Sequence, residues 1–366
     1  MVSAKKTKVV INGKFLSAGQ TAVHRVAEEY TLAFDRLLAR DPEFTRNFDF
    51  ILAVPPDAIR NLDLSRIEIV TCGLSGGVLW EQVFLPLYSR SALLLNFCNL
   101  GPAFKRRAAT LIHDVQAYST PESNSRKFRL LYKSLTPLLC RFSKKIFAVS
   151  DYSAGELRSV VPQVKEIVTV HNGCDHVLRA APSEKLIYDR RLPIGKYCVA
   201  LANPKPHKNI KVLLSAFSDP RLASVPLVLF GPGSKADFEK AGINVPNNIV
   251  FVGRVDDGEL AGLISNAGLL AFPSLTEGFG LPPLEAMALG CPVVIAPKGS
   301  LPEICGDSAL RADPFVAEEW IQAIRRVLDT EIVSSQLRES GLARSSRFNW
   351  ENAARKIMTD SRELWA

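Results

Sequence analysis

FPSLTEGFGLPPLEAMALGCPVVIAP, residues 272–297, carries the fold class. The apolar run from Ala267 to Phe272 has the length and composition of a buried strand, and it leads into Glu277-Gly278-Phe279-Gly280. Pro282-Pro283 then opens a helix, because proline in a first helical turn lacks only an N–H that would be unpaired there anyway. After Gly290-Cys291-Pro292 the chain turns back into a second buried strand, Pro292 to Ala296. Strand, loop, helix, strand is the unit of a parallel sheet, whose ligands sit outside the carboxyl ends of the strands. Glu277 lies in the loop and Glu285, eight residues on, just inside the helix. The backbone N–H groups around Phe279, Gly280 and Leu281 point out of a positive helix end, which favours phosphate.

Together these parts suit a sugar nucleotide. A loop carboxylate accepts hydrogen bonds from sugar hydroxyls, amide groups hold a diphosphate, and a second carboxylate takes the ribose diol. A glutamate on a helix is by itself usually a solvated side chain, so the combination carries the reading. EGFGLPPLEAMALGCPVV resembles the E-x7-E signature of family-4-type retaining glycosyltransferases (glycosyl transferases group 1), with bacterial mannosyltransferases among them, and further landmarks recur in order from about Lys8 to Trp350. The resemblance implies an α/β fold of two Rossmann-like domains facing across a cleft, the GT-B arrangement, with a C-terminal helix crossing back to the first domain. It implies that Glu277 contacts the donor sugar and Glu285 the ribose.

Away from this segment the hydrophobic period switches repeatedly between strand and helix. Strands are expected at Lys8–Asn12, Phe50–Val54, Ile67–Val70, Leu93–Asn96, Ala108–His113, Lys145–Ser150 and Ile167–His171, with helices at Thr21–Leu38, Phe128–Phe142 and Ser153–Val160. Asn172-Gly173 reads as a turn signal. Ser183–Leu192 is polar and irregular, as a linker would be. A second series follows: strand Tyr197–Ala202, helix Ile210–Phe217, strands Leu227–Phe230 and Ile249–Val252, helix Asp257–Ser265 and strand Gly268–Phe272. The expected domains are residues 1–182 for the acceptor and 183–346 for the nucleotide sugar. Residues 347–366 are expected as a helix, capped by Asn349 and running to Trp365, that packs back on the first domain.

LANPKPHKNIKVLLSAF, residues 201–217, holds a second constellation. A strand ends at Ala202, a proline-rich turn follows, and Lys208 and Asn209 stand at the opening of a helix, which puts an ammonium group beside the carboxyl edge of the sheet. The family keeps a lysine here for the donor diphosphate, usually with an arginine upstream. This chain offers Asn203, Lys205 and His207 instead, so Lys208 inherits the role and Lys205 is the candidate for a second cation. In Leu229–Gly233 the resemblance implies that Gly231 lets the backbone approach the nucleotide. Thr110–Asp114 resembles the family's strand-end histidine near the sugar, here His113. The family's first loop is usually glycine-rich, whereas this chain has Ala22 where glycine is usual before the helix. A Cβ narrows how close a phosphate can come; Gly19 is expected to restore the turn, with His24 and Arg25 supplying positive charge for an acceptor.

Composition bounds the rest. A length of 366 residues suits two domains, and no apolar run approaches the roughly 20 residues of a membrane span. MVSAKKTKVVING lacks the apolar core of a secretory signal. Seven scattered cysteines with no C-x-x-C pair read as free thiols in a reducing cytoplasm. Residues 1–180 hold 24 Lys and Arg against 16 Asp and Glu, an excess equal to the whole chain's net charge of +8. Clusters such as Lys105-Arg106-Arg107 and Lys144-Lys145 read either as a solvated basic face or as a site for an anionic partner, a phosphate-bearing acceptor or the anionic inner leaflet of the cytoplasmic membrane, and not for nucleic acid.

The implied reaction moves a hexose from a nucleotide diphosphate sugar to a glycan or polyprenyl-linked acceptor in cell-surface polysaccharide or lipopolysaccharide synthesis. The resemblance favours mannose and a GDP-sugar over a UDP-sugar. No cofactor is expected, and no metal, since the chain has no Asp-x-Asp motif. A catalytically silent carbohydrate-binding or scaffold protein on the same fold stays open at this point, as does a sugar-nucleotide epimerase. A nicotinamide oxidoreductase is disfavoured by the lack of a strand followed by G-x-G-x-x-G.

Overall fold

The computed structural model describes residues 6–120, 125–164 and 166–364. They form two compact α/β units, one holding the described residues up to Gly173 and from Asn349 on, the other Cys174–Phe348.

The first unit carries a seven-stranded sheet: β1 Thr7–Asn12, β2 Phe48–Val54, β3 Glu68–Thr71, β4 Leu93–Asn96, β5 Ala108–Ile112, β6 Lys145–Ala148 and β7 Ile167–Thr169, in the order β3-β2-β1-β4-β5-β6-β7. Every pairing is parallel. Val9, Val10 and Ile11 of the central β1 are all fully buried, so both faces are covered and the strand reads as a continuous apolar run rather than an alternation. On one face Val10, Ala53, Leu94 and Ala108 pack against Trp80 and Leu85. Helix Ala22–Arg40 brings Tyr30 and Phe34 into an aromatic cluster. Tyr30 stacks on Phe97 at 4.7 Å and meets Trp350 edge-on at 5.3 Å, and Phe34 stacks on Phe50 at 4.8 Å.

Trp350 opens helix Trp350–Asp360, capped by the Asn349 side chain, and this helix packs along Ala22–Arg40. Arg36–Glu351 at 3.0 Å and Arg355–Asp41 at 2.6 Å pin the two together. The chain's last described stretch therefore completes the first unit, as the family resemblance implies. It continues as a 3-10 turn, Arg362–Leu364, and Trp365 lies outside the described residues, as do residues 1–5 of the N-terminal stretch.

The second unit has six parallel strands: β8 Cys198–Leu201, β9 Leu227–Phe230, β10 Ile249–Gly253, β11 Leu269–Phe272, β12 Val293–Ile295 and β13 Leu310–Arg311, in the order β10-β9-β8-β11-β12-β13. Its core joins Ala200, Leu229, Ala271 and Val294 to helix Ile210–Phe217 and to Trp320 and Ile324 of helix Ala317–Asp329.

Two readings of the sequence change. Ser183–Leu192 is not an irregular linker, because Lys185–Arg190 is helical with Ile187 buried. The stretch is docked on helix Asp257–Ser265: Ser183 N–H donates to Gly258 O at 2.9 Å, and a Cβ at Gly262 would collide with the Ser183 carbonyl. Gly173, for its part, does more than form a turn. Its missing side chain leaves room for the backbone nitrogen and indole of Trp350.

Gly173→Ala places a methyl group against backbone that has no alternative rotamer. It should destabilise the first unit by about 1–3 kcal/mol, visible as a lower thermal midpoint by circular dichroism. An unchanged midpoint would show that the two segments separate freely.

Candidate functional site

In the second sheet β8 and β11 are neighbours, but the chain leaves them in opposite lateral directions. Such a switch point opens a crevice at the carboxyl edge. The two loops that border it carry Lys208 and Glu277. After β8 the Asn203 side chain accepts from Lys205 N–H at 3.1 Å, and Pro206–Lys208 forms one 3-10 turn. Asn209 adopts a left-handed backbone conformation (φ 53°), one that asparagine tolerates better than most residues. Its amide donates to Pro273 O at 3.2 Å and Pro314 O at 2.7 Å, while Leu275 N–H donates to His207 O at 2.8 Å. The loop after β8 is thereby stapled to the loop after β11. Lys208 Nζ then reaches Glu277 Oε1 at 2.7 Å, with both side chains more than four-fifths buried. An ammonium has three donors, so this pair leaves two for another anion.

The loop Glu277–Gly280 is held from below by residues that sequence reading missed. Gly299 has φ 62°, and a Cβ there would sit 2.7 Å from Glu277 N. The buried Ser300 donates its N–H to Glu277 O at 3.2 Å and its hydroxyl to Phe279 O at 2.8 Å. Gly280, at φ 97°, takes a backbone geometry that side chains avoid, and it starts helix Leu281–Ala288. Pro282 and Pro283 carry no N–H, so this helix end offers the amides of Gly280 and Leu281 in place of a full turn of donors. The Phe279 ring is buried, edge-on to Phe348 at 6.0 Å, so this residue meets a ligand through backbone if at all.

One turn into that helix the buried Glu285 bonds His176 Nε2 through Oε1 at 3.0 Å. His176 was not foreseen: it stands three residues past the Asn172-Gly173 turn signal, in a stretch assigned to the first domain that belongs to the second unit. Its one signal was the polar side chain following that motif. Gly231, at the end of β9, has φ 119° and donates to Gly253 O at 2.7 Å, and Gly233 N–H donates to Ala202 O at 2.9 Å. The β9 turn thus sits against the end of β8, beside Asn203. Lys205 is exposed and does not join the Lys208–Glu277 pair in the hydrogen bonds seen.

The first unit has its own switch point, between β1 and β4. Asn12 at the end of β1 donates to Asn96 Oδ1 at 3.0 Å and to Glu81 Oε1 at 3.1 Å, and Lys14 Nζ reaches Glu81 Oε2 at 2.7 Å. His113, immediately after β5, is buried. Its Nε2 lies 2.7 Å from Phe97 O, and because a carbonyl can only accept, Nε2 carries the proton and Nδ1 is left as an acceptor. Burial pulls its pKa down to about 4, opposed by the Phe97 carbonyl and reinforced by His24, so the ring is neutral. His24 Nδ1 lies 3.0 Å from Gly19 O, and burial likewise lowers its pKa. Arg25 donates to Gln20 Oε1 at 3.2 Å.

The expectation that Gly19 restores the turn fails: its φ is not in the left-handed region and a Cβ there would touch nothing. The glycine this loop requires is Gly13, where a Cβ would sit 2.5 Å from Ala53 O. Ala22 is the exposed first residue of helix Ala22–Arg40. All seven cysteines are free, and burial pushes the Cys174 and Cys291 thiols up to about 12.

A parallel sheet with a switch-point crevice, a buried lysine–glutamate pair and a two-amide helix end has the groups that a nucleotide sugar needs, and comparison with known proteins gives the family. Residues 195–330 match the family model described as glycosyl transferases group 1. The chain is 33% identical over 265 residues to O-antigen chain mannosyltransferase B of Escherichia coli, covering 67% of this chain and 68% of that protein. It is 31% identical over 169 residues to the serotype-specific mannosyltransferase WbdA of Escherichia coli, covering 43% of this chain but 21% of that longer protein. Its fold matches the sucrose-phosphate synthase of Thermosynechococcus elongatus with a TM-score of 0.72 at 17% identity, covering 99% of both chains. The chain belongs to the glycosyl transferases group 1 family and is a glycosyltransferase.

Two outcomes follow from this geometry. The folded pKa of His113 lies below its unfolded value, so the unfolded state binds the proton first as pH falls. The neutral ring's contribution is complete above about pH 6.5 and is lost progressively toward pH 4, a span of about 3 kcal/mol. His113→Gln keeps a donor for Phe97 O without titrating, so urea unfolding at pH 7 and pH 4.5 should show a smaller acid loss than in the parent. Equal losses would mean that the ring is not buried neutral.

If Glu285 takes the ribose diol, Glu285→Ala removes a contact made equally in ground and transition states, so donor KM should rise roughly tenfold with kcat little changed. His176→Ala, which releases the orientation of the Glu285 carboxylate, should shift KM the same way by less. A kcat effect confined to either variant would contradict the ribose assignment.

Proposed function

We propose that the chain transfers mannose from a GDP-linked donor, with retention at the anomeric carbon, to a hydroxyl of a lipid-linked glycan in cell-surface polysaccharide synthesis. The observation that carries the chemistry is the Lys208–Glu277 pair at the switch point beside the Gly280 and Leu281 amides. As the bond between the anomeric carbon and the diphosphate oxygen breaks, its electron pair stays on the leaving diphosphate. Lys208 and the two amides stabilise that charge where it builds, and the Glu277 carboxylate orients the sugar hydroxyls. The acceptor oxygen enters on the face the diphosphate leaves, and its proton passes to the departing phosphate oxygen, so no side chain has to act as a strong base. Glu285, oriented by His176, takes the ribose diol. The absence of an Asp-x-Asp motif supports a reaction without metal. The names of the similar Escherichia coli mannosyltransferases support mannose and an O-antigen-like acceptor, and the charge of the first 180 residues supports peripheral attachment to an anionic inner leaflet. Among the described residues no helix is long and apolar enough to cross a membrane.

The test is donor turnover by mass spectrometry, with GDP-mannose set beside UDP-glucose and UDP-galactose. Turnover of a UDP-sugar alone would overturn the donor assignment. Lys208→Ala should lower kcat at saturating donor on the order of 10² to 10³ by removing a preorganised cation. The loss includes the cost of leaving Glu277 buried without its partner. Lys208→Arg retains the charge with a different reach and should recover activity in part. An alanine variant close to the parent would reduce Lys208 to a structural ion pair.

A further inference from the structure

The basic clusters of the first unit lie at the edge of its sheet opposite to His113 and Asn96. Arg106 and Arg107 directly precede β5, Lys144 directly precedes β6, and Arg90 stands just ahead of β4. Parallel pairing puts these starts at one edge, where Lys144 N–H donates to Arg106 O at 3.2 Å and Leu94 N–H to Arg107 O at 3.0 Å. His113 and Asn96 stand at the other end of the same strands. Five residues of β5 separate the two edges, roughly 17 Å at 3.3 Å per residue. These cations are therefore not lining a pocket around His113.

At the centre of the basic edge is Phe104, 69% exposed although it is a phenylalanine, with its ring 5.1 Å from that of Phe142. It borders a groove of about 430 Å³ lined by Pro86, Arg90, Arg106 and Arg107. Beyond Arg106 a second groove, of about 640 Å³, is lined by Arg141, Phe142 and Lys144. Leu87, beside Pro86, is 65% exposed. The one acidic side chain in these two linings, Glu166, is paired with Lys145 at 3.0 Å. Exposed apolar side chains set among cations match a bilayer interface, where an aromatic ring enters the headgroup region and the cations meet phosphates.

We propose that this edge, centred on Phe104 and flanked by Arg106, Arg141 and Lys144, docks the protein on an anionic phospholipid bilayer. The inference rests on the reading that the acceptor is presented at such a surface, and it names the face that reading left open. An acidic protein partner would use the charges; Phe104 and Leu87 exposed among cations, with no free carboxylate in the groove linings, favour the bilayer interface.

Flotation with vesicles of phosphatidylglycerol and phosphatidylethanolamine, against phosphatidylcholine alone, tests it. The parent should float with the anionic vesicles and be released by salt. Arg106→Ala with Lys144→Ala should weaken binding about thirtyfold, and Phe104→Ser about tenfold. Turnover with a water-soluble acceptor analogue and the thermal midpoint should stay at parental values, since none of these residues touches the donor site. Variants that float like the parent would overturn the choice of face while leaving membrane attachment standing. A parent that ignores anionic vesicles yet turns over donor would overturn both the face and the membrane reading, and would leave glycosyl transfer intact. Binding of the parent to neutral vesicles equal to that on anionic ones would sink the charge argument.

Discussion

In the second unit β8 and β11 lie side by side, yet the chain departs from β8 toward β9 and from β11 toward β12, so the loops that follow them diverge at the carboxyl edge. A cation and a carboxylate placed on those two loops meet across the gap. Taking both charges out of water is costly, and mutual attraction repays the cost only when the geometry is fixed. Here the fixing is done by backbone: the Asn209 amide on two carbonyls, His207 O on Leu275 N–H, and Gly299-Ser300 beneath the glutamate loop. Transition-state stabilisation of a departing diphosphate needs such partners in place beforehand, because reorienting them during the reaction would consume the gain.

The same logic shapes the helix end. A usual helix presents a turn of unpaired N–H groups, and Pro282-Pro283 reduces that supply. What remains is two amides at the helix start and, on the neighbouring loop, the Lys208 ammonium paired with Glu277. In the proposed reaction a diphosphate would meet few donors here, with the ammonium of Lys208 supplying a full positive charge whose interaction strengthens as negative charge grows. Glu285, one turn into this helix, is tied to His176, so in the proposed reaction the nucleoside end would be oriented by a group that takes no part in bond breaking.

Much of the sheet framework was legible in sequence because strands buried on both faces leave apolar runs that polar loops interrupt. Leu93–Asn96, Leu227–Phe230 and the helices Ile210–Phe217 and Asp257–Ser265 have the bounds that pattern gives. The Glu277 and Glu285 positions were legible because glycine and proline at a helix start have local causes. His176, Gly299 and Ser300 were not, since each acts through a contact to chain that is remote in sequence. The helix Lys185–Arg190 was missed for a related reason: its short polar text carries one buried residue, Ile187, and its docking depends on the absence of a side chain at Gly262, far along the chain. Gly19 misled because a glycine before a helix suggests a turn constraint, whereas the crowded position in that loop is Gly13.

β5 joins Arg107 at one edge of the first sheet to His113 at the other. A molecule resting on lipid by its basic edge carries its polar edge aloft by the length of that strand. On the membrane reading proposed above, the first unit's sheet would act as a ruler, the length of β5 setting the height at which its polar edge is held.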